Sequence, residues 1–305
     1  MAFDEAKIRS GNRLNSAILA VLAVVITGAA WAVGWLPPME RAAGDILLRA
    51  SASGDDSRTP VVAILIDDQA VDLFGPLPWP RDRIAELVRS LRLSNVRGVA
   101  LDIILADSPQ PGDDQALREA LEGIPVALAA AFDRDGRWLL PGEAFGGVSH
   151  AAHAYGEVGP DGVVRTMSST KQGNGLALPA LALAAARILR PELPVEAGIE
   201  LRPEFRPAPQ DVVSFPATSV LDGSLAPEHI EGKVAFIGIS ATGAGDQFVV
   251  PTGPRHQPVP GVLAHASATI SILRGRLLRV PGWRWSLVSA LLLSLGIQWM
   301  RDRRG

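Results

Sequence analysis

Residues 61–81 read VVAILIDDQAVDLFGPLPWPR. Six aliphatic residues, Val61 to Ile66, run without a polar break and stop at two carboxylates, Asp67 and Asp68. A continuous, β-branched run of this length predicts a strand buried on both faces, as in a parallel sheet. The acids then lie at the sheet's carboxyl edge, where open α/β folds build their sites. A short loop passes Pro76, Pro78 and Pro80 to Arg81, after which Ile84, Leu87, Val88 and Leu91 form one helical stripe. A second aliphatic run, residues 99–105, completes a strand–helix–strand unit, a connection that is right-handed and parallel in nearly all cases.

Outward from this unit the chain alternates. A helix is predicted over 112–123, with acids in its first turn and glycine at its end. A strand follows over 126–132. Residues 154–169 read as a hairpin turning at Pro160-Asp161-Gly162. A buried helix is predicted over 176–189, a short strand at 199–201, a buried strand at 233–239 and a helix over 259–273. The fold class is α/β: a mostly parallel sheet with flanking helices and an inserted β-hairpin, anchored by a transmembrane helix at each end.

The anchors are read from the two ends. No charge interrupts the chain from Leu14 to Met39, which is long enough for a span of about 20 residues. Lys7, Arg9 and Arg13 precede it, and Trp31 and Trp35 sit where an interfacial belt would lie. Ala30-Trp31-Ala32 has the small-x-small form of a signal cleavage site, but the apolar run exceeds a signal core of roughly 7–15 residues. From Glu40 to Arg49 apolar positions recur at helical spacing, so a helix is expected to continue out of the membrane. A second, shorter apolar run ends at Met300, followed by Arg301, Arg303 and Arg304. Basic residues at both ends predict both termini in the cytoplasm and everything between them outside. The division is residues 1–13 cytoplasmic, 14–36 first span, 37–282 periplasmic domain, 283–300 second span and 301–305 cytoplasmic tail.

Composition agrees with anchors on a soluble domain: 305 residues, 48% hydrophobic, mean hydropathy +0.20. A net charge of −3 makes no case for nucleic acid. With no cysteine there is neither a disulfide nor a thiol nucleophile.

The chemistry-bearing residues are few. Asp67, Asp68, Asp102 and Asp107 are expected near the ends of two adjacent strands, where oxygen ligands suit Mg²⁺ or Ca²⁺. The alternative is that they cap helices or pair with arginine. Trp79 is expected to pack over the sheet edge, and Arg81 to return to Asp67 or Asp68 as a bidentate pair. Ser240 to Gly245, SATGAG, lacks the Gly-Lys-Ser/Thr of a phosphate loop. The five histidines form no zinc signature, and His265 reads as a packed residue within the last soluble helix. No cofactor is expected.

These residues together resemble one family. The strand ending in Asp67-Asp68, Pro78-Trp79-Pro80-Arg81, Leu101-Asp102-Ile103, Pro160-Asp161-Gly162-Val163-Val164-Arg165, Gly232-Lys233 and Pro260-Gly261 with His265-Ala266 occur in that order. This is similar to the second type of CHASE domain (cyclases/histidine kinases associated sensory extracellular), over roughly Glu40 to Arg279. The resemblance implies an inner-membrane sensor with an extracytoplasmic domain, a ligand not generally known, and a cytoplasmic output domain. Such an output is absent from this chain. The candidate ligand or structural cluster is Asp67, Asp68, Trp79, Arg81, Asp102 and Arg165. Expected partners are the lipid bilayer, a second copy or a membrane signalling protein, and an unknown small ligand, with no nucleic acid. The alternatives are a structural subunit of an inner-membrane complex and a periplasmic metal-assisted hydrolase built on Asp67, Asp68 and Asp102.

Overall fold

The computed structural model describes residues 18–51, 59–106, 113–254, 257–279 and 283–304. Expectations resting on residues 1–13, Asp107, Gly112 and His256 lie outside the described residues. The chain divides into two compact units, one of Met1–Leu47 with Arg279–Gly305, the other of Leu48–Leu278.

In chain order the helices are α1 (Ile18–Ala32), α2 (Leu36–Ser51), α3 (Asp68–Phe74), α4 (Arg81–Leu93), α5 (Asp113–Leu121), α6 (Leu181–Leu189), α7 (Ala217–Leu221), α8 (Gly261–Leu273) and α9 (Trp283–Arg304). The strands are β1 (Val61–Ile66), β2 (Gly98–Asp102), β3 (Val126–Phe132), β4 (Trp138–Leu139), β5 (Ala151–His153), β6 (Glu157–Val158), β7 (Val164–Ser168), β8 (Thr170–Gly173), β9 (Leu176–Pro179), β10 (Glu200–Leu201), β11 (Ser214–Pro216), β12 (Val234–Ile239), β13 (Gln247–Phe248) and β14 (Val259–Pro260).

The larger unit is built on a sheet of order β11-β1-β12-β2-β3, parallel throughout. Beyond β3 lie parallel β5 and antiparallel β4. Side chains alternate between two layers, as period-two strands require. Val62, Ile64 and Ile66 pack with α4, α5 and α7; Val61 and Ala63 pack with α6 and α8. The expected hairpin is β6–β7, extended by β10.

Several expectations are corrected. β1 and β2 are parallel but not neighbours, because β12 pairs with both. The connection through α3 and α4 leaves one strand position open, and the chain fills it more than a hundred residues later. β2 stops at Asp102, short of residue 105. The loop expected after Asp67 contains α3. Residues 176–179 form β9, paired with β8, and only then does α6 begin. Residues 259–260 pair with β13, so α8 starts at Gly261.

In the smaller unit the first helix does not continue straight. Gly34 takes φ +83°, its N–H bonds Trp31 O, and Trp35 N–H reaches back to Ala30 O. Those two bonds are the Schellman stop, which glycine's freedom at positive φ permits. Pro37 and Pro38 then fit the first turn of α2, where a missing N–H costs little. The result is an 89° bend between α1 and α2. Among the described residues no single helix is long and apolar enough to cross a membrane; α1 and α2 meet that length and composition only as the bent pair.

Candidate functional site

The carboxyl edge of the sheet is where the candidate residues fall, but they separate into groups. Asp67 sits at the N-cap of α3, its Oδ1 accepting from Ala70 N at 2.9 Å. This satisfies a donor that a helix start otherwise leaves bare. Asp68 accepts from Thr242 twice, from the backbone N–H at 2.7 Å and from the hydroxyl at 2.9 Å. It thereby ties the loop after β12 to the start of α3. Both acids are engaged by neutral donors, and neither holds Arg81.

Arg81 pairs elsewhere, which corrects the expected ion pair. Its Nη2 donates to Ala106 O at 2.8 Å, and its Nε lies 3.4 Å from Asp114 Oδ1, in the first turn of α5. The guanidinium carbon stands 5.8 Å from the Phe145 ring centroid. Asp114 Oδ1 is buried without a hydrogen-bond donor, so the Arg81 contact supplies charge rather than a formed hydrogen bond. The acids are already engaged, by Ala70 N and by Thr242, and Asp114 in the first turn of α5 offers Arg81 a carboxylate.

Trp79 is turned inward from its loop. It is 5% exposed, its Nε1 donates to Gly75 O at 3.1 Å, and it meets the Phe74 ring edge-on. Under it opens a cleft of about 290 Å³. Ile66, Ile239 and Ile103 line it from the ends of β1, β12 and β2; Leu77, Pro78 and Trp79 close it from the loop. Arg81 and Ile84 contribute from α4. The volume is near the lower bound of small-molecule sites, about 300 Å³, and the chemistry is their usual one, apolar walls with a sparse polar group.

Asp102 lies on the opposite layer, against the start of α8. A Cβ on Gly261 would stand 3.5 Å from Asp102 Oδ2 and 3.3 Å from the Cβ of Asp246. Gly261 N donates to Asp246 O at 2.7 Å. Burial, then the nearby Asp246 carboxylate, push the Asp102 carboxyl up to about 7. Two buried histidines continue this layer. His265 on α8 packs edge-on to Phe248, and its Nδ1 has no hydrogen-bond partner. His153 on β5 contacts Ser168 O through Nε2 at 2.9 Å and accepts from Tyr155 N through Nδ1 at 3.3 Å. Burial lowers both imidazoles to about 4.

Arg165 belongs to the hairpin. It grips Asp161 with two hydrogen bonds, at 2.9 and 2.8 Å, and so holds that carboxyl down near 2. The expected cluster is thus five arrangements: a cap at Asp67, a loop clasp at Asp68, a cleft holding Trp79 and Arg81, the half-buried Asp102 at the start of α8, and the Arg165–Asp161 pair of the hairpin. Among the described residues no group of three or more acidic or histidine side chains is placed to hold a metal ion. The convergence of Asp67, Asp68 and Asp102 is therefore withdrawn, since β12 stands between their strands. Asp246 was missed as a neighbour of Asp102; only a fold that returns residues 234–273 to the sheet brings it there.

The CHASE2 domain model matches residues 17–298. This chain belongs to the CHASE2 domain family. CHASE2 domains are a family of extracellular sensory domains of signalling proteins, with which a sensory module is consistent. No curated protein and no solved structure matches it.

Proposed function

We propose that this CHASE2 chain is a membrane-anchored module that binds a small, mainly apolar ligand in the cleft beneath Trp79 and passes the event toward its anchors. One observation carries the reading. Three strand ends and one proline-rich loop enclose apolar space at the sheet's carboxyl edge, with the Arg81 guanidinium among its walls. A ligand there touches the ends of β1, β12 and β2 together with the start of α4, so occupancy bears on all four elements at once. The partners that follow are the bilayer, a signalling protein or a second copy, and a ligand carrying an acceptor for Arg81. A hydrolase is disfavoured, because Asp67 and Asp68 are engaged by neutral donors and Asp102 faces the other layer.

The test is a thermal-shift screen of the full chain with small aliphatic and aromatic carboxylic acids, beside an Ile103→Trp variant that fills the cleft. A ligand at 100 times its Kd contributes about 2.7 kcal/mol, or roughly 5–10 °C for a unit of this size. The expected result is a shift in the wild type that Ile103→Trp abolishes. A shift of equal size in both proteins places the ligand elsewhere and refutes the cleft.

A further inference from the structure

α2 is amphipathic in the wrong sense for a helix facing water. Met39, Ala43, Ile46, Leu47 and Ala50 fall within an arc of roughly 100° at 100° per residue. All five are exposed, Met39 by 67%, Ile46 by 63% and Leu47 by 70%. Three of the four charged residues of the same helix are turned inward, Asp45 being 7% exposed and Arg41 and Arg49 half-buried, while Glu40 is exposed at the edge of the stripe. Water outside that face would leave an apolar stripe solvated, the costlier surroundings for it.

We infer that α2 lies flat in the membrane interface, with this stripe seated in the boundary between headgroups and acyl chains. The inference rests on the membrane-anchored reading above. Its particular support is geometry. Helix α1 presents Val21, Val25 and Ile26 outward, and α2 leaves it at 89°. A helix at right angles to a spanning segment runs in the plane of the bilayer. Trp35, 72% exposed, stands in the bend, at the depth that indole rings favour. The uncharged stretch from residue 14 to the bend has about 19 residues, close to one hydrocarbon thickness at 1.5 Å each. The stripe carries no cation, so its attachment is hydrophobic burial and not attraction to anionic lipid. A second copy of the chain would offer the same stripe; continuity with the outward apolar face of α1 favours lipid.

The chain has no cysteine, so single spin labels report cleanly. Labels at Met39→Cys, Ala43→Cys, Ile46→Cys and Leu47→Cys are read in the full chain in nanodiscs of zwitterionic lipid. Val21→Cys serves as the reference for lipid and Leu93→Cys for water. The expected result is several-fold greater collision with oxygen than with a water-soluble nickel complex at all four stripe positions, as at Val21, unchanged by salt. Stripe labels that match Leu93 while Val21 reports lipid refute the interfacial helix and leave the anchor standing. Dipolar broadening between copies at the stripe makes it a protein interface and refutes the inference. A Val21 label in water refutes both readings.

Discussion

Asp102 is the residue at which burial and charge most oppose ordinary behaviour. The groups beside it are Asp246 from the loop and Gly261 at the start of α8; the Asp246 charge also reaches His265, which in turn acts on His153 of β5. The unfolded carboxyl titrates near 3.8 and the folded one near 7, so between these values the folded chain holds the extra proton. Stability contributed by that proton is complete below pH 4 and is lost as pH rises to 7. The two histidines act with the opposite sign. Their folded values near 4 lie below the ordinary 6.5, so they lower stability as pH falls from 6.5 to 4. Asp102→Asn removes the first effect alone. The variant is expected to gain on the order of 2 kcal/mol over wild type between pH 5 and pH 8, with a steeper loss on the acid side. Urea unfolding across that range checks it; a gap that does not change with pH contradicts the assignment.

Among the elements, α8 shows how much a single glycine decides. Every residue of this helix is buried, and its polar side chains find carbonyls: Ser267 reaches Pro207 O at 2.6 Å and Thr269 reaches Ala182 O at 3.1 Å. The helix comes so close to β12 that a Cβ on Gly238 would stand 2.5 Å from Val262 Cβ. Neither atom is the end of a flexible chain, so the layers themselves must part. Gly238→Ala is expected to cost about 1–3 kcal/mol by overpacking. Val262→Gly in the same chain removes the opposing Cβ, and the double variant should be more stable than the sum of the two single losses predicts, a coupling read from a double-mutant cycle in denaturant. Additive losses would mean that the two residues do not meet. The elements themselves were largely legible: β1, β3 and β12 are aliphatic runs, and α4 and α5 carry apolar periods with the expected ends. What local pattern omits is strand order. Nothing in VVAILI or VALD says that VAFIGI lies between them, because that pairing is decided by which strands complete the buried sheet. The same gap explains the site. Trp79 over the edge is a local consequence of its loop, whereas the Arg81–Asp114 pair and the Asp102–Asp246 contact join segments by tertiary packing. Helix α3 was hidden in a seven-residue stretch too short to show a period, with Asp67 as its one signal.

At the scale of the whole molecule, the open question is which side of a membrane the sheet occupies. The extracellular character of the family and the basic flanks of both apolar ends agree on one answer. Lys7, Arg9 and Arg13 precede the first apolar run, and Arg301, Arg303 and Arg304 follow the last. Retaining both sets in the cytoplasm requires the chain to cross twice, which leaves the sheet outside. Helix α9 is 22 residues long, about 33 Å at 1.5 Å per residue, so it has the length for the return crossing, although its charged ends lower its mean hydropathy. Snorkelling of Arg284 and of the terminal arginines would bring those charges to the headgroups. Two single-cysteine chains separate the possibilities. Leu93 follows directly in the last turn of α4 and is 88% exposed, so Leu93→Cys presents a thiol on the sheet-bearing unit. Ser10→Cys presents one before the first apolar run. In intact spheroplasts a membrane-impermeant maleimide is expected to label Leu93→Cys and to spare Ser10→Cys until the membrane is permeabilised. Labelling of Ser10→Cys in intact spheroplasts, or protection of Leu93→Cys, would place the sheet in the cytoplasm and remove the basis for an extracytoplasmic ligand.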